Sequence, residues 1–328
     1  MDRMDSNTVT DARARRFVKI AWAVLGYNVL VMAWGAYVRA TFSGDGCGSH
    51  WPLCNGEMSF PKATKALVEA SHRGTSGIAM IVVYVMTIIA FRTFPKGAVV
   101  RRTALASSIF VSGEALIGAF IVLFRYVAHD KSLERAFSMS AHLTNTFFLL
   151  GALALTAYHG GGGAPAAFRG RGWRAGLALA ALGSMIGVGM TGALAALGDT
   201  LFPAHSVMEG LSQDLSLKSD ILLKLRTAHP FVAVTAAVVV LAFASYAPGD
   251  GASKWVRGLA RAVSVGVFLQ LGLGALNVAL LAPVAVQMAH LILADAVWVM
   301  LVMLVWSVLA VESPASAREG EAFAKLQP

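Results

Sequence analysis

The run VAVQMAHLILADAVWVMLVMLVWSVLAV, residues 284–311, is 28 residues long and carries one carboxylate, Asp295, and one histidine, His290. A helical crossing of a bilayer core takes about 20 mostly apolar residues, so this run is long enough to span a membrane. Seven similar runs precede it, at 17–40, 66–93, 102–125, 136–158, 173–198, 221–247 and 255–281, with short polar breaks between them. Hydrophobic residues make up 57% of the chain and charged residues 14%, a balance that excludes a soluble globular protein of this length. The sequence therefore predicts an all-α membrane protein with eight transmembrane helices.

A net charge of +9 would suit a nucleic-acid binder if it formed one patch. The basic residues lie instead at helix ends: Arg13, Arg15, Arg16 and Lys19 before the first run, Arg92, Lys96, Arg101 and Arg102 in the second connection, Arg169, Arg171 and Arg174 in the fourth, and Lys254 and Arg257 in the sixth. That alternation is a topology signal, not a nucleic-acid footprint. It predicts a multi-pass membrane protein with both termini cytoplasmic. No cleavable signal is expected, because residues 1–16 are polar and the first apolar run is long enough to remain a helix.

Of the eight histidines, His50, His129, His159 and His205 fall in connections or at helix ends. His72, His142, His229 and His290 each stand about six residues inside an even-numbered helix, which at 1.5 Å per residue places them in one layer roughly 9 Å below its outer edge. Ionisable side chains at membrane depth usually face the bundle interior and mark function. A single one is as well explained by interhelical hydrogen bonding; four at one depth are not. Paired imidazoles from facing helices hold heme iron in helical bundles, so four ligands make two sites. A non-heme metal would need carboxylate partners, which do not recur beside each histidine.

The halves echo one another. SAHLTNTFFLL (140–150) matches MAHLILADAVW (288–298) through Ala-His-Leu, LIGAFIVL in the third run resembles GLGALNVAL in the seventh, and EASHRGTSG in the second corresponds to RTAHPFVAV in the sixth. This predicts two tandem four-helix bundles related by an internal repeat, residues 1–160 and 161–328, joined at the Gly-rich stretch HGGGGAPAAFRGRG. Pairing within a unit puts His72 with His142 and His229 with His290. The units differ at one telling place: Glu69 stands three residues before His72, whereas Arg226 stands three before His229. Glu69 could take protons or simply pair with Arg73 at i,i+4. Arg39, Arg73 and Arg226 are candidate contacts for heme propionates or snorkelling side chains. Glu114, near mid-membrane, is either a proton relay or an interhelical bond, and Asn145, Asn277 and Asp295 are candidates to orient the histidines or are equally explained by polar helix packing.

Both cysteines sit in GCGSHWPLCNG, residues 46–56. The predicted topology puts this loop on the outer face, where a disulfide is permitted. A staple for the loop and a dithiol that exchanges with a redox partner are both compatible with the spacing. Two thiolates without a histidine pair do not make a zinc site.

Together these residues resemble the heme A synthase family, which converts heme O to heme A for terminal oxidases. The resemblance rests on Val38-Arg39-Ala40-Thr41, on Cys47, Trp51, Pro52, Cys54 and Gly56, on Glu69-x-x-His72-Arg73, and on His142, His229 and His290. It implies that His72 and His142 hold the iron of the substrate heme O, with Glu69 as the catalytic carboxylate, and that heme b is the cofactor between His229 and His290. It further implies a Cys47–Cys54 disulfide, an oxidoreductase that turns a porphyrin methyl group into a formyl group, and partnership with heme O synthase, terminal oxidase assembly and an electron acceptor. The alternatives are a diheme electron-transfer cytochrome and a heme carrier.

Overall fold

The computed structural model describes residues 6–57, 61–216 and 218–311, with the side chains of the first helix described from Ala12. Its helices are α1 (Ser6–Ala40), α2 (Thr64–Thr93), α3 (Val99–Leu123), α4 (Leu133–Gly160), α5 (Gly172–Leu201), α6 (Val207–Leu215), α7 (Ile221–Tyr246), α8 (Lys254–Ala279) and α9 (Val284–Val308). All but α6 are long and apolar enough to cross a membrane, eight in total among the described residues. Their ends fall within three residues of the predicted ones except at α1, which starts earlier, at Ser6. The termini themselves lie outside the described residues.

Capping side chains fix several helix starts. Ser132, Asp220 and Ser253 accept hydrogen bonds from the backbone N–H groups of Arg135, Leu222 and Val256, satisfying donors that have no partner within the helix. The unforeseen element is α6, whose Ser206 oxygen accepts from the Glu209 N–H while Glu209 accepts from the His205 N–H. The signal for it was legible as Ser-x-x-Glu ahead of an amphipathic run. Val207, Met208 and Leu211 lie exposed along it, so it is an interfacial element and not a crossing.

Helix neighbours follow one scheme twice. In the first four helices α1 touches α2 and α4, α2 touches α3, and α3 touches α4; later in the chain α5 touches α7 and α9, α7 touches α8, and α8 touches α9. The two sets meet where α4 and α1 touch α5 and α9. Exchanging the two sets of membrane-spanning helices leaves this pattern of neighbours unchanged.

The seam is the best-buried part of the molecule. Trp298 of α9 stacks on Phe147 of α4 with ring centroids 5.0 Å apart, and its indole N–H donates to the Phe147 carbonyl at 2.6 Å. Gly189 admits the Phe147 ring to α5, since a Cβ there would lie 2.7 Å from it. Leu150, Leu153, Leu301 and Leu304 complete this core. Outward faces are apolar too, with Ile109, Leu116, Phe231, Val238 and Phe268 exposed, as lipid contact demands.

Candidate functional site

His72, His142, His229 and His290 lie on α2, α4, α7 and α9. They stand 8, 9, 8 and 6 residues after the first residue of their helices, or about 12, 14, 12 and 9 Å along them. Three of the four thus stand further along their helices than the predicted 9 Å, in part because α2 and α4 begin earlier than expected. All four rings are half-buried. His142 lies within electrostatic range of His72, and His290 within range of His229.

Small residues on neighbouring helices make room for the rings. A Cβ on Gly35 would lie 2.8 Å from His72 Cε1, and one on Gly192 or Gly274 would lie 3.2 Å from Cε1 of His229 or His290. Polar neighbours differ from site to site. The Thr191 hydroxyl lies 3.1 Å from His229 Nδ1, Glu114 Oε2 lies 3.0 Å from His142 Nδ1, and Gln270 Nε2 lies 3.2 Å from His290 Nε2. The buried Nδ1 of His72 has no hydrogen-bond partner.

These are not the partners raised from sequence. Asn145 bonds to Glu114 and to the Phe110 carbonyl, not to a histidine. Asn277 Oδ1 is buried without a partner among the described residues. Asp295 is fully buried with both oxygens unpartnered, beside an apolar pocket lined by Trp22, Leu259 and Met303.

Glu69 is 3% exposed and ties the cysteine loop to α2. Its Oε1 pairs with Arg73 Nη2 at 2.5 Å, while its Oε2 accepts the Cys47 N–H at 2.8 Å. Arg73 also donates to the carbonyls of His50 and Leu53 at 2.6 and 3.0 Å. Gly46 presses so closely on the start of α2 that a Cβ would lie 2.5 Å from the Ala66 nitrogen. Cys47 and Cys54 form a disulfide, and both are buried. A buried pair resists attack by an incoming thiolate, which favours the staple over the exchanging dithiol.

A ring closed over about eight residues restricts the unfolded chain by roughly 2.5 kcal/mol in the loop-entropy model. Glu69 and Arg73 hold the loop independently of it. Replacing both cysteines by serine is therefore expected to leave the eight-helix fold intact and to raise the rate of proteolysis at residues 48–53, read by mass mapping of the fragments.

The other two arginines are fully engaged. Arg39 of α1 donates to the Ala196 carbonyl and Thr200 hydroxyl of α5, and to Gln287 Oε1 of α9 at 2.9 Å. Arg226 pairs with Asp199 at 3.2 Å and Asp214 at 2.5 Å, anchoring α6. Each stands at the cysteine-loop end of its helix, the same end as the histidine layer.

Residues 18–302 match the family COX15-CtaA, described as cytochrome oxidase assembly protein. The chain belongs to that family. The matched range contains the cysteine pair, Glu69 and all four intramembrane histidines. Over 298 residues the chain is 46% identical to a Thermus thermophilus protein named protoheme IX farnesyltransferase, an alignment covering 90% of this chain and 48% of that one. It is also 36% identical over 112 residues to heme A synthases of Bacillus mycoides and Bacillus cereus, covering 34% of this chain and 36% of theirs. The chain thus spans about half the length of the Thermus relative. As a COX15-CtaA protein it is a multi-pass membrane protein with a disulfide-closed loop held over a histidine layer.

Proposed function

We propose that this chain is a heme A synthase, with residues 1–160 forming the site for the substrate heme O and residues 161–328 the site for heme b. The observation that carries this reading is that the four intramembrane histidines fall into two pairs, while Glu69 accompanies only the first. Two imidazoles suit an iron porphyrin, which brings four equatorial nitrogens of its own. His72 and His142 hold the substrate iron, and His229 and His290 hold heme b. When bound, heme b supplies one-electron redox chemistry beside the substrate, passing electrons toward an acceptor.

The chain's own residues do the rest. Glu69 takes protons released as the methyl group is oxidised to the formyl group, and steadies positive charge that develops beside the ring. Its two oxygens are fixed by Arg73 and the Cys47 N–H, so no reorientation is needed. The stapled loop covers this carboxylate and keeps bulk water from it. Arg39, Arg73 and Arg226, at the same end of their helices, are the cations that would exchange a present protein partner for a heme propionate. The basic connections support a topology with that end on the outer face of a bacterial inner membrane and the termini in the cytoplasm.

The name of the Thermus relative fits this place in a sequence of steps. A farnesylated protoheme is heme O, the substrate proposed here, so heme O synthase and the oxidase assembly machinery are the expected partners. The decisive test is to extract hemes from the protein produced with and without a farnesylating enzyme and identify them by mass. Heme b alone without that enzyme, joined by heme O and its hydroxyl and formyl products with it, is the expected result. Two permanent b hemes in both hosts would mark an electron-transfer cytochrome, unoxidised heme O alone a carrier, and farnesylation of heme b by the chain itself a transferase.

Gly192→Leu is expected to crowd His229 and lower heme b content at least about tenfold, with heme O still bound by the first pair. Heme-to-protein stoichiometry after extraction reads this directly.

A further inference from the structure

Glu114 is an intramembrane carboxylate for which the reaction just proposed has no use. Its surroundings form a built site. Glu114 of α3 meets three residues of one turn of α4: Oε2 lies 3.0 Å from His142 Nδ1 and accepts from the Thr146 hydroxyl at 3.1 Å, and Oε1 accepts from Asn145 Nδ2 at 2.5 Å. Asn145 is itself held by the Phe110 carbonyl at 2.8 Å, and Gly113 leaves room for it, since a Cβ there would lie 2.7 Å from Asn145 Oδ1. The His142 ring N–H is not aligned on the oxygen, so the contact is a close approach that a small ring rotation turns into a hydrogen bond.

The repeat supplies an internal control. Glu114-Ala-Leu-Ile-Gly118-Ala119 aligns with Gln270-Leu-Gly-Leu-Gly274-Ala275, which puts Gln270 where Glu114 stands. Gln270 also faces the histidine of its own half: its amide nitrogen lies 3.2 Å from His290 Nε2 and donates to the His290 carbonyl at 3.0 Å. The counterparts of Asn145 and Thr146 are Leu293 and Ala294, so the clamp on the carboxylate is absent there. His142 therefore meets an acceptor on Nδ1, whereas the Gln270 amide meets His290 on Nε2 and the buried Nδ1 of His290 has no hydrogen-bond partner among the described residues.

We propose that Glu114 is the positioning residue of His142, and that its replacement by Gln270 in the second repeat makes the two iron sites unequal in their preference for ferric iron. This rests on the reading of His142 and His290 as iron ligands. An acceptor on Nδ1 fixes the tautomer that leaves Nε2 free for iron, and raises the basicity of the ring. A more basic ligand favours ferric over ferrous iron. His290 has no acceptor on Nδ1 and gets no such push, and the Gln270 amide has to leave Nε2 before that nitrogen can take iron, so the first site holds ferric iron more strongly than the second.

The test uses the full chain carrying both hemes, followed by optical redox titration and the low-spin ferric resonance spectrum. Glu114→Gln should weaken the ferric preference of the first site about tenfold, a rise of ~59 mV in its midpoint for one electron, and leave the second site unchanged. Glu114→Leu, which removes the acceptor altogether, should shift the first site the same way, and decides the matter alone if Glu114→Gln does not fold. Unmoved midpoints and spectra in the variants that fold would reduce Glu114 to a bond between α3 and α4, and overturn the inference. His142→Ala separates the two layers of the argument. If it leaves the first heme and its spectrum intact, the ligand assignment fails and the inference falls with it. If it strips that spectrum while the charge variants stay silent, only the inference fails.

Discussion

Glu69→Gln is expected to lower the yield of formyl heme by about 100-fold or more, the usual reach of a positioned acid or base, with heme b content unchanged. Glutamine has nearly the same shape and keeps an oxygen for the Cys47 N–H, so the loop stays docked. What it loses is the charge opposite Arg73 and the ability to accept a proton. The substitution thereby separates two roles that coincide in one side chain: the anchor of the loop and the proposed proton acceptor. Product analysis by mass on extracted hemes reads the chemistry, and proteolysis of the loop reads the anchor. Formyl heme within a few-fold of the parent, with the loop still protected, would leave Glu69 an anchor only. A transported but unoxidised cargo, as a carrier would have, is insensitive to this change.

Trp298→Ala should be among the most damaging substitutions to the fold. The side chain is 3% exposed at the seam between α4 and α9, stacked on Phe147 and bonded to its carbonyl. Emptying such a site costs about 3–5 kcal/mol, and the lost aromatic pair belongs to that cost. Trp298→Phe keeps a stacked ring and forfeits the hydrogen bond, for a loss of about 1 kcal/mol. Trp306, half-buried and edge-on to Phe168 at 5.8 Å, offers a comparison on the same helix and should tolerate alanine better. Thermal unfolding in detergent, followed by helical circular dichroism, should rank the three as Trp298→Ala, then Trp306→Ala, then Trp298→Phe in order of damage. Equal losses for the two alanine variants would mean that the seam carries no special share of the stability.

The crossings were legible because lipid leaves the backbone no choice. Each segment must satisfy its own N–H and C=O groups as a helix, so length and hydropathy of a run suffice to find it. The histidine layer was legible for a related reason: an imidazole amid an apolar run stands out, and counting residues from the helix start gives its depth. Counting was less good at levelling the layer, because α2 and α4 start two and three residues earlier than the apolar runs suggest. The short α6 escaped notice since it is amphipathic and falls in a connection, although its Ser206-Glu209 cap was in view.

Which side chain touches which histidine was a different matter. Asn145, Asn277 and Asp295 looked like partners, yet Thr191, Glu114 and Gln270 hold those places. In water, the apolar stripe of a helix shows which way it faces. In a bilayer the outside of the bundle is as apolar as its inside, so a run such as 284–311 carries little record of its rotation.

By itself, then, the sequence determined that this is an eight-crossing helical protein with four histidines near one depth, since those properties reside in each segment separately. Only the tertiary structure decided that Glu69 carries the cysteine loop, that Arg39 ties α1 to α5 and α9, and that a carboxylate faces one histidine while an amide faces its counterpart. Those contacts depend on the rotation and approach of helices packed among equally apolar neighbours, and no local periodicity encodes that.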